Sequence, residues 1–210
     1  MKRSISNECN QLQEKLTSYV AMLNFKYMNL CIKAEPMSLI PIKVNVEGSM
    51  KNIEQVAFTA KKDDYHFWIV PKFDDDLKAI GEGIAAVHPE FKQEVSSYKV
   101  TVGDDGSERD VKYIQLTMPE VDDNIHDAMK DAVDAFYQEC KTLMDAALTQ
   151  SKGKIAIESA GEPKQDVDDV KKAIDNLQKK SEEKRDQLRD KKLKEIEEAY
   201  NNWLSNVGFN

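Results

Sequence analysis

Apolar residues near the start of the chain recur with the spacing of an amphipathic helix. From about residue 5 to residue 31 they step alternately by four and three, at Ile5, Cys9, Leu12, Leu16, Tyr19, Leu23, Tyr27 and Leu30. This heptad spacing predicts one long helix with a single apolar face. Pro36 is expected to end the helical run, because the residue before a proline is pushed out of the α region.

The same period returns after residue 122 and predicts two more long helices. The second helix is expected to start with Asp122 or Asp123 as its N-cap and to be interrupted at Gly153. Its apolar positions are Ile125, Met129, Ala132, Phe136, Cys140, Leu143 and Ala147. The third helix is expected over residues 166–204. Its apolar face is poor over residues 181–185, where we expect loose packing or exposure to solvent.

The segment between the first two helices has the residue pattern of β-strands instead. Strands are expected over residues 40–46, around Val56 and Phe58, over 67–70 as a fully buried strand, and over 98–102 and 111–116. A short helix is expected from Asp75 or Asp76 to Val87, where apolar residues return to a helical spacing. Asp104-Asp105-Gly106 is a turn sequence and predicts a hairpin between the last two strands.

These elements predict an α+β fold. Long helices with one apolar face bury that face against one another, so we expect a three-helix bundle. The strand-rich segment separates the first helix from the second in sequence, so it is expected as an insertion. The predicted bundle comprises residues 1–33 and 119–210, and the small α/β domain comprises residues 34–118. The two crossings are expected to form a hinge at Lys33, Ala34, Glu35, Pro36, Thr117, Met118 and Pro119.

Composition narrows the possible locations and partners. The 210 residues carry a net charge of −8, and the 30 basic residues include few arginines. A uniformly basic surface for DNA is therefore not expected. No apolar run approaches the length of a membrane span, and no apolar segment of a secretory signal follows the first residues. The three scattered cysteines suit a reducing compartment, so we expect a cytoplasmic protein that does not bind membranes.

Signals for catalysis are weak. His66, His88 and His126 are far apart and lie in no metal-binding motif. Gly81-Glu82-Gly83 falls inside a predicted helix, whereas a dinucleotide loop belongs in a strand-to-helix turn. Asp74-Asp75-Asp76 precedes that helix and complements the positive end of its dipole without a metal. We therefore expect no enzymatic activity, no bound metal and no cofactor.

One basic cluster lies on the last helix. Residues 179–194 contain eight basic residues against four acidic ones. Lys180 and Lys184 are one helical turn apart, as are Arg185 and Arg189, so each pair shares a face. Such a face can follow RNA phosphates, or it can be a solvated face with compensating carboxylates. Composition alone favours the second interpretation, and both stay open at this point.

Several short segments follow one another in an order typical of a known family. They are Ile32-Lys33-Ala34-Glu35-Pro36, Ile53-Glu54-Gln55-Val56-Ala57, Ile69-Val70-Pro71 with Leu77-Lys78-Ala79-Ile80, Tyr113-Ile114-Gln115-Leu116-Thr117-Met118-Pro119, and residues from Ile174 to Ile196 of the last helix. In this order they resemble the ribosome recycling factor family over nearly the whole chain. The resemblance implies a bundle of three long helices with an inserted α/β domain, in a two-domain L shape.

The resemblance also implies a function. Members of this family are non-enzymatic factors that bind the large-subunit ribosomal RNA and disassemble post-termination ribosomes together with a translocase GTPase elongation factor. Family arginines that contact the RNA match Lys33 and Lys141 here, whereas a further arginine cluster falls on residues 145–149, which contain none. Together with the basic cluster, the expected rRNA-binding residues are Lys33, Lys141, Lys180, Lys184, Arg185 and Arg189.

An alternative is a diverged paralogue that keeps the fold and acts as a protein-interaction module without recycling activity. The acidic net charge and the missing arginines favour this alternative, because Asp145 near an RNA phosphate repels it. The near-complete series of matching segments and the basic cluster favour ribosome binding.

Overall fold

The chain divides into two compact units. A computed structural model describes residues 2–102 and 106–207. One unit, the helical unit, comprises Met1–Leu30 and Val121–Asn210, and the other, the sheet unit, comprises Cys31–Glu120. The turn predicted at Asp104 and Asp105 lies outside the described residues. Within the described ranges, no helix has the length and apolar character needed to cross a membrane.

The elements alternate between helical and extended segments as the sequence predicts. In chain order they are α1 (Arg3–Asn29), β1 (Lys43–Val46), β2 (Ser49–Asn52), α2 (Ile53–Val56), β3 (Ala57–Lys61), β4 (His66–Pro71), α3 (Leu77–Val87), β5 (Lys92–Val102), β6 (Ser107–Thr117), α4 (Asp123–Glu158) and α5 (Lys164–Val207), with 3-10 turns at Pro36–Leu39 and Asp74–Asp76. The predicted fold class, three long helices with an inserted α/β segment, is confirmed.

The three long helices bury a continuous apolar face. In α1 the predicted spacing is confirmed, since the buried apolar residues are Ile5, Leu12, Leu16, Leu23 and Tyr27. The N-cap of α4 is Asp122, whose carboxylate accepts a 2.8 Å hydrogen bond from the backbone N–H of Ile125. The buried face of α4 begins one residue later than predicted, at His126 and Val133, and then includes Cys140. Because a helix advances about 100° per residue, this shift still leaves Ile125 and Ala132 half-buried.

The predicted interruption of the second helix at Gly153 is wrong. Helix α4 continues through Gly153 to Glu158. The residues on either side explain why: Ser151 and Ile155 are both buried and continue the apolar face beyond Leu148. Ser151 donates a 2.7 Å hydrogen bond to the carboxylate of Glu8 on α1. One exposed glycine costs a helix only about 1 kcal/mol relative to alanine, which this packing outweighs.

The centre of α5 is also buried, contrary to prediction. Ser181 and Arg185 have exposed fractions of 8% and 6%. Steps of four and three that continue from Leu177 through Ser181 predict Lys184 on the buried face, but Lys184 is exposed and Arg185 takes that place. A long side chain can lie in an interior position when its charged end finds partners, and Arg185 finds them on α4 and α5.

The sheet unit contains a four-stranded antiparallel sheet in the order β3-β4-β6-β5 and a separate β1-β2 hairpin. Helix α3 packs on one face of the sheet, where Ile80 and Ile84 join Ile69 and Ile114 in one apolar core. The prediction of a fully buried strand over residues 67–70, which lie in β4, is wrong. The residues of β4 alternate between buried and half-buried, because Phe67 and Ile69 belong to the apolar core, whereas Trp68 and Val70 point to the other side of the sheet.

The start of the sheet unit differs from the predicted strands. Residues 36–39 form a 3-10 turn, so the first strand begins at Lys43 and not at Ile40. The tight turn lies at Glu47 and Gly48, whose φ angles are 52° and 81°, and it sets the pairing of Val46 with Ser49. Val56 ends the one-turn helix α2, which a capping box at Asn52 begins, so the second predicted strand starts at Ala57.

Glycine at position 83 permits a close approach between α3 and β1. A Cβ atom at this position would lie 2.5 Å from the backbone oxygen of Lys43. Gly81-Glu82-Gly83 lies inside α3, as predicted. Because a larger residue would clash with β1, Gly83 serves packing within the sheet unit.

Candidate nucleic-acid interface

The basic residues predicted on α5 lie on two different flanks of the helix. Nine residues on a helix correspond to a rotation of about 180°, so Arg189 lies opposite Lys180. Lys180 and Lys184 are exposed, and neither makes an ion pair with the described residues. Free ammonium groups of this kind are available to phosphates. We call Lys180 and Lys184 the lysine flank.

Arg185 and Arg189 face α4, where they form a cluster with aromatic and acidic side chains. Their guanidinium groups lie 4.7 and 5.2 Å from the centre of the Tyr137 ring. Arg189 donates from Nε and Nη2 to one carboxylate oxygen of Asp134, at 2.9 and 2.8 Å. The Tyr137 hydroxyl and the Arg185 Nε both donate to Asp186, at 2.8 and 2.9 Å. We call these five residues the arginine cluster.

The arginine cluster is neutralised from within. Burial opposes ionisation of Asp186, but the hydrogen bonds from Arg185 and Tyr137 hold the pKa of its carboxyl below the ordinary value. The hydrogen bond to Asp134 raises the pKa of Arg189. Sequence reasoning missed Asp134 and Tyr137 as partners, because their pairing depends on how α4 lies against α5. Of the four basic residues predicted to form one surface on α5, only Lys180 and Lys184 offer charge that is unpaired among the described residues, because Arg185 is bonded to Asp186 and Arg189 to Asp134.

Lys141 is exposed on α4, in an acidic setting. Helix α4 carries seven carboxylates against four lysines. Glu139 forms an ion pair with Lys26 of α1, and Asp145 is exposed one turn beyond Lys141. Leu148, which falls in the segment matching the family's arginine cluster, is buried in the core with an exposed fraction of 4%. The side chains of this segment therefore offer no cation.

Lys33 lies in the sheet unit, next to the turn between β3 and β4. Lys33 is exposed. The ammonium of Lys61, hydrogen-bonded to Asp64 at 2.7 Å, lowers the pKa of that carboxyl, and the charge of Lys33 lowers it further. Lys33 is therefore close enough to Asp64 for its cation to be partly compensated.

Both segments that cross into the sheet unit are hydrogen-bonded to this same turn. The backbone N–H of Ala34 donates to the Asp64 carbonyl at 2.7 Å, and that of Met118 donates to the Tyr65 carbonyl at 2.8 Å. Ala34 and Met118 are both buried. Thr117 is the last residue of β6 and pairs with His66 and Lys92. Among the predicted hinge residues, Ala34, Thr117 and Met118 are thus bonded into the sheet unit, whereas Lys33, Glu35 and Pro36 are exposed.

The histidines make separate structural contacts. His66 bonds to Asp63 and His88 to Glu90, while His126 lies 3.0 Å from a carboxylate oxygen of Glu197. Within the described ranges, no group of three or more histidine, cysteine or acidic residues is arranged to hold a metal ion. The three cysteines, Cys9, Cys31 and Cys140, are free thiols.

Comparison of the fold with solved structures gives a consistent result. The chain matches a solution structure of ribosome recycling factor with a TM-score of 0.72 and 15% sequence identity, covering 94% of this chain and 100% of the other. It also matches a model of the T. thermophilus ribosome recycling factor, from models of that factor and E. coli elongation factor G bound to the E. coli post-termination complex. That match has a TM-score of 0.55 and 17% identity, and covers 91% of this chain and 98% of the other.

Comparisons at the sequence level find no relative. No family model matches the chain, and no curated protein matches it. The structural likeness lies at an identity where the fold is conserved and individual side chains have diverged. Over 94% of its length, the chain has the fold of ribosome recycling factor.

Proposed function

We propose that this protein is a ribosome-binding translation factor that assists the disassembly of post-termination ribosomes, in the cytoplasm and without enzymatic activity of its own. The observation that carries the proposal is the likeness in fold, which extends over both the helical and the sheet unit and over all of the matched factor. A matched structure comes from models of such a factor and elongation factor G bound to a post-termination complex. We therefore propose the ribosome and a translocase GTPase elongation factor as partners.

We propose that large-subunit rRNA is contacted mainly through the lysine flank of α5, with Lys33 and Lys141 contributing. Lys180 and Lys184 are exposed and make no ion pair within the described part of the chain. Each lysine placed beside a phosphate releases a counterion, so binding is expected to weaken with salt. Arg185 and Arg189 are bound within the arginine cluster, so they contribute to the shape of this surface and not to its free charge.

The hinge also stays a proposal. Because Ala34 and Met118 are hydrogen-bonded to the β3–β4 turn, we place the pivots outside these two residues, at Lys33 on one crossing and Pro119 on the other.

The test of ribosome binding is co-sedimentation with post-termination ribosomes at several salt concentrations. The double variant Lys180→Glu with Lys184→Glu is expected to bind more weakly than the parent. Its plot of log affinity against log salt should lose roughly 2 units of slope, since two phosphate contacts are removed. Lys33→Glu and Lys141→Glu should each lose roughly 1 unit.

The matched control is Lys172→Glu with Lys179→Glu. These two lysines are exposed on the same helix and the change in charge is identical, but they lie about 110° away from the lysine flank. We expect the control to bind as the parent does. Equal binding by the control and the lysine-flank variant would remove the rRNA-binding surface from the proposal.

A second candidate function is a protein-interaction module without recycling activity. The exposed Asp145 and the buried Leu148 favour it, because they replace cations with an anion and an apolar core residue. Disassembly of post-termination ribosomes by the parent protein in the presence of elongation factor G distinguishes the two. A protein that binds these ribosomes and leaves them intact would support the second function.

A further inference from the structure

The sheet unit carries an aromatic surface that none of the proposed ribosome-binding residues uses. Side chains alternate across the sheet, so residues next to buried Ile69 and Ile114 point to the side away from α3. On that side lie Phe58, Trp68, Tyr98 and Tyr113 together with Lys62 and Lys72. We call this set of six residues the open face.

Each of the four strands contributes one aromatic residue to the open face. Phe58 lies on β3, Trp68 on β4, Tyr113 on β6 and Tyr98 on β5. The ring centres of Trp68 and Tyr113 are 5.4 Å apart, and those of Tyr113 and Tyr98 are 5.7 Å apart. These three rings thus form a row across β4, β6 and β5, which are neighbouring strands about 4.8 Å apart. Phe58 lies on the same side of the sheet on β3, opposite Val70 of β4.

The rings are accessible from outside the sheet. Phe58 is 66% exposed and Tyr98 is 42% exposed, while Trp68 and Tyr113 are half-buried. The Lys62 ammonium lies 5.4 Å from the centre of the Trp68 ring, and the Lys72 ammonium lies 5.3 Å from that of Phe58. Each lysine covers one face of its ring, as in a cation–π contact. The Lys72 ammonium also donates to the backbone carbonyls of Glu54 and Gln55 at 3.0 Å, and the Lys62 ammonium donates to the Gln115 side chain at 3.3 Å. Within the described part of the chain, neither lysine is paired with a carboxylate, so a phosphate placed beside them would be the first anion to neutralise their charge.

The surroundings of the open face are basic, on a chain whose net charge is −8. Strand pairing places two further cations on this side of the sheet, with Lys92 opposite Thr117 and Arg109 opposite Val100. Glu94 on this side is paired with Lys92 at 2.7 Å, and Asp63 in the adjoining turn lies 2.7 Å from His66. Four basic residues (Lys62, Lys72, Lys92 and Arg109) thus stand against these two carboxylates. The local charge is therefore positive where the whole protein is negative.

We infer that the open face binds a short stretch of single-stranded RNA, with bases stacked on the aromatic row and phosphates beside Lys62 and Lys72. Aromatic side chains on a sheet together with nearby cations are a general means of holding unpaired bases. An apolar protein surface would have to bury both ammonium groups, which is costly, whereas phosphates neutralise them. This inference goes beyond the proposed ribosome-binding surface, because it concerns six other residues.

The test uses the fluorescence of one tryptophan. The chain has two tryptophans, so the Trp203→Phe variant retains Trp68 alone. Titration of this full-length variant with a short mixed-sequence single-stranded oligoribonucleotide should quench Trp68. In the same background, Phe58→Ala and Tyr98→Ala should each weaken binding about tenfold, as expected for loss of one stacked base. Lys62→Glu with Lys72→Glu should lower the salt slope by roughly 1.4.

Matched controls separate this site from general effects. Val95→Ala removes a side chain that is 59% exposed on the same strand as Tyr98 but on the opposite side of the sheet, and should bind as the Trp203→Phe background does. Lys78→Glu, whose side chain is 89% exposed on α3, should also be neutral. The variant Lys172→Glu with Lys179→Glu, whose lysines are exposed on α5 outside the lysine flank, should bind the oligoribonucleotide as the background does, so a change of charge on the helical unit does not account for the result.

Two results would overturn the inference. One is unchanged affinity in both Phe58→Ala and Tyr98→Ala while circular dichroism shows the variants folded. The other is a duplex of the same sequence binding as tightly as the single strand, since paired bases are already stacked and cannot occupy the aromatic row. Either result would favour a protein, and not RNA, as the ligand of the open face. The ribosome-binding proposal would be unaffected.

Discussion

The variant Arg185→Glu should lose about 3 kcal/mol of unfolding free energy, whereas Lys184→Glu should change it by less than about 0.5 kcal/mol. The two residues are neighbours in sequence and receive the same substitution. Arg185 has an exposed fraction of 6%, and its guanidinium bonds to Asp186 at 2.9 Å and lies over Tyr137. A glutamate there would place a second carboxylate beside Asp186 with no cation to compensate it.

The measurement is urea unfolding of the full chain, followed by the fluorescence of Trp203 in a Trp68→Phe background so that the helical unit is observed by itself. Equal losses in the two variants would contradict the burial of Arg185. The expected result also affects how binding experiments are interpreted. If an Arg185 variant loses ribosome binding, the loss of stability explains it and no direct contact with RNA follows. Lys180 and Lys184 are the residues whose variants report on binding itself.

The second large effect is expected at Gly83, where alanine should cost about 3 kcal/mol. An added Cβ would lie 2.5 Å from the carbonyl oxygen of Lys43 and 3.3 Å from both its carbonyl carbon and a methyl group of Val44. Two of these three atoms are backbone, so the clash is relieved only if α3 moves away from β1. That movement would open the apolar core around Ile80 and Ile84.

Gly153→Ala is the matched control for this prediction. Gly153 also lies inside a helix, but nothing lies within 4 Å of an added Cβ, so alanine should stabilise the protein by about 1 kcal/mol. Unfolding of the sheet unit is followed by Trp68 fluorescence in the Trp203→Phe background, and that of the helical unit by Trp203. A Gly83→Ala variant as stable as the parent would show that α3 approaches β1 less closely than described.

Sequence periodicity predicted the long helices well, because their apolar faces repeat over many turns. It failed where the buried residue is polar. Ser151 is buried through its bond to Glu8, and Arg185 is buried through Asp186 and Tyr137. A pattern of apolar residues assigns such polar positions to loops or to solvent. The side chains that make their burial possible, Glu8 for Ser151 and Tyr137 for Arg185, lie on another helix and are far away in sequence.

The candidate binding surfaces were also predictable from the sequence only in part. The exposure of Lys180 was predictable from helical spacing, because it depends on the helix alone. The exposure of Lys184 was not, since the steps of four and three assign that position to the buried face. The neutralisation of Arg189 by Asp134 was not, since 55 residues separate them in the chain. The open face was also missed. Phe58, Trp68, Tyr98 and Tyr113 lie on four strands, and only the strand order and register place them on one side of the sheet.

The turn between β3 and β4 has a consequence for the order of folding. Helix α1 packs against α4 and α5, yet a segment on the order of 90 residues separates it from α4, and closing so long a loop costs roughly 4 kcal/mol of chain entropy. In the folded sheet unit, the segments at Ala34 and Met118 are tied to the adjacent residues Asp64 and Tyr65, so the long loop is already closed. We therefore expect α1 to dock late, after the insertion has folded, and slowing the folding of the insertion to delay completion of the helical unit.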